Sequence, residues 1–222
     1  MALGRAAIYG GTFDPVHNGH VEVAGRILEL FELDEVIFVP AYVPPHKRGT
    51  GITSAFHRFA MLALATQTDE RWRISTLELD APERPYAVDT VARMQAEVGT
   101  SRRLFFLLGA DSWLEITSWH EWQKLLQRCD LIVVTRPGYE LSGQSPAEVG
   151  NILDARGMDK RRVSRLLNTD SGPRVFLTDA AMVNVSATEI RAAARSDNAN
   201  QLREMVPPAV AHYIEKYELY QK

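Results

Sequence analysis

The feature that most constrains the fold of this chain is an alternation of short apolar runs with amphipathic segments. Val36–Val39 and Leu131–Val134 consist entirely of apolar residues, which is typical of strands buried on both faces of a sheet. Val21–Phe31, which precedes the first of these runs, places its apolar residues at helical spacing. We therefore predict an α/β fold, with a doubly wound, mainly parallel sheet of five to six strands and helices on both faces.

The same patterns predict the order of elements along the chain. The predicted strands are Arg5–Tyr9, Val36–Val39, Arg73–Leu79, Arg103–Leu108, Leu131–Val134 and Val175–Leu177, and the predicted helices include Val21–Phe31, Phe56–Ala65 and Asp89–Val98. A more polar region near 139–170 contains the helix-like stretches Ala147–Leu153 and Asp159–Leu167, so we expect a helical excursion there, and a C-terminal helical segment over 186–219. Because 222 residues with 45% apolar content can bury one core without disulfides or metals, we predict a single domain over residues 1–222.

Charge and cysteine content narrow the partners and the compartment. The net charge of −3 argues against nucleic acid or an anionic membrane as a partner, because either usually requires a basic excess. The single cysteine, Cys129, precedes an apolar run, so we expect a buried, inert thiol. No apolar stretch approaches the roughly 18–20 residues that span a bilayer and no signal-peptide pattern is visible, which predicts the cytoplasm. The oligomeric state stays open, a homo-oligomer included.

The strongest functional signal is the string Gly11-Thr-Phe-Asp-Pro-Val-His-Asn-Gly-His20. Gly10 and Gly11 directly follow a predicted strand, so backbone amides can approach an anion closely. His17 and His20 share one face of the next helix's first turn, where two imidazoles can hydrogen-bond phosphate oxygens during phosphoryl transfer. A metal site would need a third ligand, and none is evident. The string is neither a dinucleotide fingerprint nor a Walker loop.

Further polar motifs follow other predicted strands, where ligands of parallel sheets bind. Two prolines stiffen the loop that carries His46 and Lys47. Ser186 and Glu189 form a capping box, and we expect Ser186, Thr188 and Arg191 to form a phosphate site as well. Four more candidates complete this set, namely Asp111 (a helix cap or an acceptor for a sugar hydroxyl), Trp119 (core, or stacked on a heterocyclic base), its neighbour His120, and Arg136 (bound to a phosphate or a base edge).

Together these strings resemble one family. GGTFDPVHNGH, VPPHK, GADS, the Trp119 segment, TRPG and VSATEIR are similar, in the same order, to bacterial nicotinate-nucleotide adenylyltransferases. That family belongs to the nucleotidyltransferases that share the HxGH element with class I aminoacyl-tRNA synthetases. The resemblance implies a Rossmann-like sheet and the transfer of AMP from ATP to nicotinate mononucleotide, with Mg²⁺, giving deamido-NAD and pyrophosphate.

The resemblance also implies roles by matching position. Catalysis is expected from His17, His20, Lys47 and Arg191, ATP binding from Gly10, Gly11, Phe13, Arg136, Ser186 and Thr188, and mononucleotide binding from Thr12, His46, Ala87, Gly109, Asp111, Trp119 and His120. Ala87 departs from the family, which usually has threonine there. We favour recognition of the nicotinate carboxylate by the backbone amide, which alanine provides equally well.

Three alternatives remain open from the sequence. The acceptor could instead be nicotinamide mononucleotide or phosphopantetheine, since both take part in the same adenylyl-transfer chemistry. The third alternative is a nucleotide- or RNA-binding domain without catalysis. The acidic net charge and the full set of phosphate-facing motifs weigh against that last hypothesis.

Overall fold

The computed structural model describes residues 4–42, 51–81, 85–99, 101–135, 149, 151–169, 172–180, 185–196 and 199–221. Within these residues the strands are Gly4–Gly11 (β1), Glu35–Pro40 (β2), Trp72–Ile74 (β3), Arg102–Gly109 (β4), Asp130–Val134 (β5), Ile152–Asp154 (β6) and Val175–Thr178 (β7). They form one parallel sheet in the order β3-β2-β1-β4-β5-β7-β6. The predicted Rossmann-like α/β fold is confirmed, with one strand more than expected.

Helices connect the strands and cover the sheet. They are Asn18–Leu30 (α1), Ala55–Thr66 (α2), Ala87–Val98 (α3), Ala110–Leu114 (α4), Trp122–Arg128 (α5), Lys160–Leu167 (α6), Ala187–Arg195 (α7), Ala199–Met205 (α8) and Pro208–Lys216 (α9), with a 3₁₀ turn at Ile116–Ser118. None of the helices in the described ranges has the length and apolar character needed to cross a membrane.

Two apolar clusters hold the helices on opposite faces of the sheet. Alternate residues of β1 divide between them, with Ala7 in one cluster and Ala6 and Ile8 in the other. The first cluster receives α1, α2, α6, α7, α8 and α9, and the second receives α3, α4 and α5. Cys129 is buried in the second cluster, as expected. Burial raises the pKa of its thiol, which disfavours the reactive thiolate.

The predicted strand Arg73–Leu79 is wrong beyond Ile74. Strand β3 lies at the edge of the sheet and pairs only with β2, ending where Ile74 meets Phe38. The chain then turns, and Asp80 N donates to Thr76 O at 2.8 Å. Leu77 is partly buried against the second apolar cluster. The alternation of apolar and polar residues after Ile74 therefore reflects this packing rather than strand pairing.

The helix-like interpretation of Ala147–Leu153 is also wrong at its end. Ile152 and Leu153 lie in β6, where they pair with Val175 and Phe176 of β7. This pairing satisfies backbone groups of β7 on the side away from β5, which a helix could not do. Of the region near 139–170, residues 139–148, 150 and 170 lie outside the described residues, and α6 follows with Asp159 as its N-cap.

Glu78 makes the stability of this region depend on pH. Its carboxylate accepts a 2.7 Å hydrogen bond from the Thr90 hydroxyl of α3, and burial raises its pKa above its ordinary value of 4.5. The folded state therefore holds the proton more tightly than the unfolded state. The stability that protonated Glu78 contributes is complete below pH 4.5 and is lost as the pH rises through its raised pKa in the folded state.

We expect Glu78→Gln to reduce this loss, because an amide accepts the Thr90 bond without ionising. In urea unfolding between pH 4.5 and 8, the free energy of unfolding of Glu78→Gln relative to wild type should increase with pH. Glu70→Gln, an exposed change nearby, serves as the control. A difference that stays constant over this range would contradict the prediction.

Candidate active site

A cleft of about 310 Å³ opens at the carboxyl ends of β1 and β4. The chain builds the sheet outward in both directions from these two strands, and such a switch point is the usual ligand site of parallel sheets. Six of the predicted site residues line the cleft, namely Gly10, His17, His20, Gly109, Asp111 and Ser186. The cleft therefore brings together motifs that lie up to 176 positions apart (Gly10 to Ser186).

The two histidines form a stacked pair at the start of α1. His17 is the N-cap residue and His20 is the third residue of the helix. The His17 backbone amide donates to His20 Nδ1 at 3.3 Å, and the ring centroids are 3.7 Å apart. The predicted shared face is present, and the capping interaction fixes the orientation of His20.

This interaction also determines which nitrogen of His20 can donate. Because Nδ1 accepts a hydrogen bond, the neutral ring carries its proton on Nε2. Burial, and secondarily the proximity of His17, lower the pKa of His20 well below its ordinary value. Without ligand, His20 is therefore a neutral Nε2–H donor near pH 7, and a bound anion would raise its pKa.

The buried ring of Phe13 packs against the histidine pair. Its ring is 2% exposed and lies edge-on to His20 at a centroid distance of 5.0 Å. A side chain at Gly11 would place Cβ only 3.0 Å from the Phe13 ring, which explains glycine at that position. The predicted contact of Phe13 with ATP would have to come from its backbone, since the ring is covered.

The start of α7 also lines the cleft, through Ser186 and Ala187. Ser186 caps this helix and accepts from Glu189 N at 3.2 Å, while Glu189 accepts from Ser186 N at 3.1 Å. The Ser186 hydroxyl also donates to Glu189 at 2.8 Å. The predicted capping box is confirmed. Since it occupies the hydroxyl, we expect the first-turn amides of α7 to be the main anion donors here.

Arg191 and Thr188 lie next on the same helix. One Arg191 nitrogen donates to the Asp14 carbonyl at 2.7 Å, and the other donates to the Thr188 hydroxyl at 3.3 Å. The guanidinium is thus anchored to the loop of the first motif. The guanidinium therefore lies beside the loop that carries the histidine pair, and neither Arg191 nor Thr188 is among the residues that line the cleft.

The strand β4 ends on a second helix start. Gly109 is the N-cap of α4, and Asp111 lies within its first turn. The alternative that Asp111 caps this helix is therefore wrong, because Gly109 occupies the cap position. Asp111 is exposed in the cleft wall, where a carboxylate can accept from sugar hydroxyls.

A second group of predicted residues meets at the start of α3. Ala87 is the first residue of this helix, so its amide is among those with no helical carbonyl to bond. The Tyr86 ring stacks on His120 with centroids 4.2 Å apart. Trp119 is half-buried and meets Phe106 edge to face at 6.2 Å. Helix-start amides and an indole thus lie in adjoining segments, next to the cleft residues of β4.

Three predicted site residues, His46, Lys47 and Arg136, lie outside the described residues. Thr12 is described, and its carbonyl accepts from Arg58 at 2.7 Å. Among the described residues there is no group of three or more His, Cys, Asp or Glu side chains arranged to hold a metal ion.

Sequence reasoning missed Arg58, which is fully buried in α2. Its guanidinium donates to three backbone carbonyls, those of Thr12, Tyr42 and Thr53, at 2.7, 2.8 and 3.0 Å. Tyr42 lies directly before the segment that carries His46 and Lys47. A signal was present in the sequence, because Arg58 shares helical spacing with the buried residues Met61, Leu62 and Ala65.

Comparisons with known proteins show the family of this chain. Residues 8–193 match the family described as cytidylyltransferase-like. A relative from Thermoanaerobacter sp. (strain X514), named probable nicotinate-nucleotide adenylyltransferase, is 35% identical over 218 residues, covering 98% of this chain and 95% of the relative. A relative of the same name from Pseudomonas putida (strain W619) is 36% identical over 220 residues, covering 99% and 96%.

A solved structure is similar over the whole fold. Plasmodium falciparum nicotinic acid mononucleotide adenylyltransferase complexed with NaAD superposes with a TM-score of 0.72 at 21% identity, over 98% of this chain and 97% of that chain. At this identity the likeness supports the fold, while the sequence relatives support the family. The chain therefore belongs to the cytidylyltransferase-like family and, within it, to the nicotinate-nucleotide adenylyltransferases.

Proposed function

We propose that this protein transfers AMP from ATP to nicotinate mononucleotide, giving deamido-NAD and pyrophosphate in NAD biosynthesis. The observation that carries the proposal is the stacked pair of His17 and His20 at the start of α1, in the cleft between β1 and β4. Relatives named nicotinate-nucleotide adenylyltransferase, at about 35% identity over nearly the whole chain, support the choice of acceptor.

The proposed chemistry is an in-line displacement. An oxygen of the mononucleotide's 5′-phosphate attacks the α-phosphorus of ATP, and the bond to the β-phosphate oxygen breaks, so that pyrophosphate leaves with the electron pair. Alignment of two anions and compensation of their repulsion are the main tasks of the protein. We assign these tasks to the Nε2–H donor of His20, to His17, to the α7 amides and Arg191, and to Lys47 and Arg136 by the family resemblance.

The proposed acceptor site uses the start of α3 and the Trp119 segment. The nicotinate carboxylate would accept from the amide of Ala87, and the pyridine ring would stack on Trp119. Gly109 and the exposed Asp111 line the cleft at the end of β4, where they would adjoin both substrates. Recognition through an amide explains how Ala87 can replace the family's threonine.

We propose that Mg²⁺ arrives with ATP. Magnesium usually keeps several waters and binds through substrate phosphates with one or two carboxylates, so it does not require a cluster of protein ligands. Bound in this way, it would neutralise charge on the triphosphate. Nearby Asp111 is the carboxylate in the cleft that fits this role as well as sugar binding.

The remaining expectations stay predictions. They are a single catalytic domain over residues 1–222, small molecules rather than nucleic acid as partners, and the cytoplasm as compartment. The acidic net charge of −3 supports the second of these.

Pyrophosphate release by the purified protein tests the proposed function. Nicotinate mononucleotide, nicotinamide mononucleotide and phosphopantetheine are supplied in parallel, each with Mg·ATP and with Mg·CTP. We expect the highest kcat/KM with nicotinate mononucleotide and ATP. The amides at the start of α3 donate hydrogen bonds and should bind a carboxylate, which accepts with both oxygens, more tightly than a carboxamide.

Each of the other outcomes would indicate a different function. Preference for phosphopantetheine or for nicotinamide mononucleotide would reject the proposed acceptor, and preference for CTP would reject adenylyl transfer. Release of no pyrophosphate with any acceptor would favour a nucleotide-binding domain without catalysis.

A further inference from the structure

Three distant segments of the chain converge on Asp14, inside the first motif. Asp14 is only 5% exposed, and its carboxylate accepts from the Tyr220 hydroxyl at 2.7 Å and from Thr53 N at 3.2 Å. Its carbonyl accepts from Arg191 at 2.7 Å. Asp14 therefore connects the loop before His17 to the C-terminal segment, to the start of α2 and to α7.

The contacts of Tyr220 close a ring of interactions. Arg195 of α7 donates to the Tyr220 carbonyl at 3.2 Å, while Arg191 of the same helix donates to Asp14. The Tyr220 hydroxyl in turn donates to the Asp14 carboxylate, so these two residues and the two arginines form a closed set of contacts. A displacement of the C-terminal segment would thus act on both the histidine loop and α7.

Tyr220 is held in an unusual conformation. Its φ is +70°, and that of Glu218 is +49°. This left-handed conformation is unfavourable for any residue that carries a side chain, and it persists only where surrounding contacts enforce it. The Tyr220 ring packs against the apolar cluster of the first face. Burial and the neighbouring Asp14 carboxylate raise the pKa of the phenol, so the hydroxyl stays a donor throughout the working pH range.

We propose that Tyr220 is a positioning residue for adenylyl transfer, whose hydroxyl fixes Asp14 and thereby the loop that presents His17 and the carbonyl that anchors Arg191. The inference rests on the proposed function. Without the hydroxyl, the buried carboxylate loses a donor and must find another partner, which shifts the loop. Displacements of about 1 Å in such a site can lower turnover about 100-fold.

The variant Tyr220→Phe keeps the ring and removes only the hydroxyl. We expect its kcat to fall about tenfold, with KM values for both substrates within about threefold of wild type, because alignment rather than binding is disturbed. Tyr217→Phe, a hydroxyl loss at a 48% exposed tyrosine three positions earlier, is the matched control and should retain full kcat. Thermal unfolding of both variants confirms that they are folded at the assay temperature.

A double-mutant cycle tests whether the effect passes through Asp14. In an Asp14→Ala background, Tyr220→Phe should change kcat less than twofold, because the acceptor is already gone. The proposal is overturned by unchanged kcat in Tyr220→Phe, by a lower unfolding temperature alone, or by an equal loss of kcat in both backgrounds.

Hydrogen exchange provides a readout that needs no turnover. Peptides covering residues 12–20 should exchange faster in Tyr220→Phe than in Tyr217→Phe. Equal exchange in the two variants would overturn the positioning role. If wild-type protein released no pyrophosphate, only the proposed function would fail, and the exchange result would still decide whether Tyr220 holds the loop.

Discussion

Replacing His20 with alanine is expected to lower kcat about 10²–10³-fold while ATP affinity changes much less. The reason is that a neutral Nε2–H donor stabilises charge that develops on the phosphates in the transition state, and loss of one such donor typically has this effect. Steady-state pyrophosphate release gives kcat, and calorimetric titration with a non-hydrolysable ATP analogue gives affinity. Small and equal changes in both quantities would contradict a catalytic role.

A second substitution separates catalysis from helix capping. His20 Nδ1 accepts from the His17 amide, and asparagine at position 20 can supply an oxygen near the position of Nδ1 but no donor at Nε2. We therefore expect His20→Asn to be nearly as impaired as His20→Ala. Recovery of most of the activity by asparagine would assign His20 to capping. His212→Ala, at an exposed histidine of α9, is the control.

Replacing Arg58 with methionine is expected to lower the free energy of unfolding by about 3–5 kcal/mol, because loss of a buried charged partner leaves polar groups uncompensated. Three carbonyls, from Thr12, Tyr42 and Thr53, would lose the donor that they share. Burial already lowers the pKa of the Arg58 guanidinium, an effect that the Asp14 carboxylate opposes. Urea unfolding followed by circular dichroism measures the loss.

Lysine at the same position tests the geometry of the interaction. An ammonium group cannot reproduce the planar fork that reaches three carbonyls, so Arg58→Lys should recover only part of the stability. Full recovery would mean that charge alone matters. The control is Arg203→Met, because Arg203 pairs with Glu215 at the surface; we expect no measurable change there.

Much of the fold was predictable because strand burial is recorded in local composition. Val36–Val39 and Leu131–Val134 lie in β2 and β5, which are buried on both faces, and a strand with one face in water would instead alternate apolar with polar residues. The edges were less predictable. β3 ends at Ile74 and β6 begins at Ile152 because of where their neighbours β2 and β7 offer backbone partners, and local patterns do not record a neighbour's length.

The candidate site divides in the same way. His17, His20 and Ser186 could be placed at helix starts because capping is a short-range interaction with a recognisable spacing. The capping alternative for Asp111 failed by two positions, since Gly109 needs no side chain to act as the N-cap and therefore gives no distinctive signal.

The sequence by itself determined the class of fold, the reaction type and six of the residues that line the cleft, because each follows from strand runs or contiguous motifs. Only the tertiary structure decided what holds those motifs in place. Tyr220 meets Asp14 across 206 positions, and Arg58 reaches Thr12 across 46. Helical spacing could indicate that Arg58 is buried, but no local pattern identifies the partner of either side chain, because a buried carboxylate or carbonyl accepts from whichever donor the folded chain brings to it.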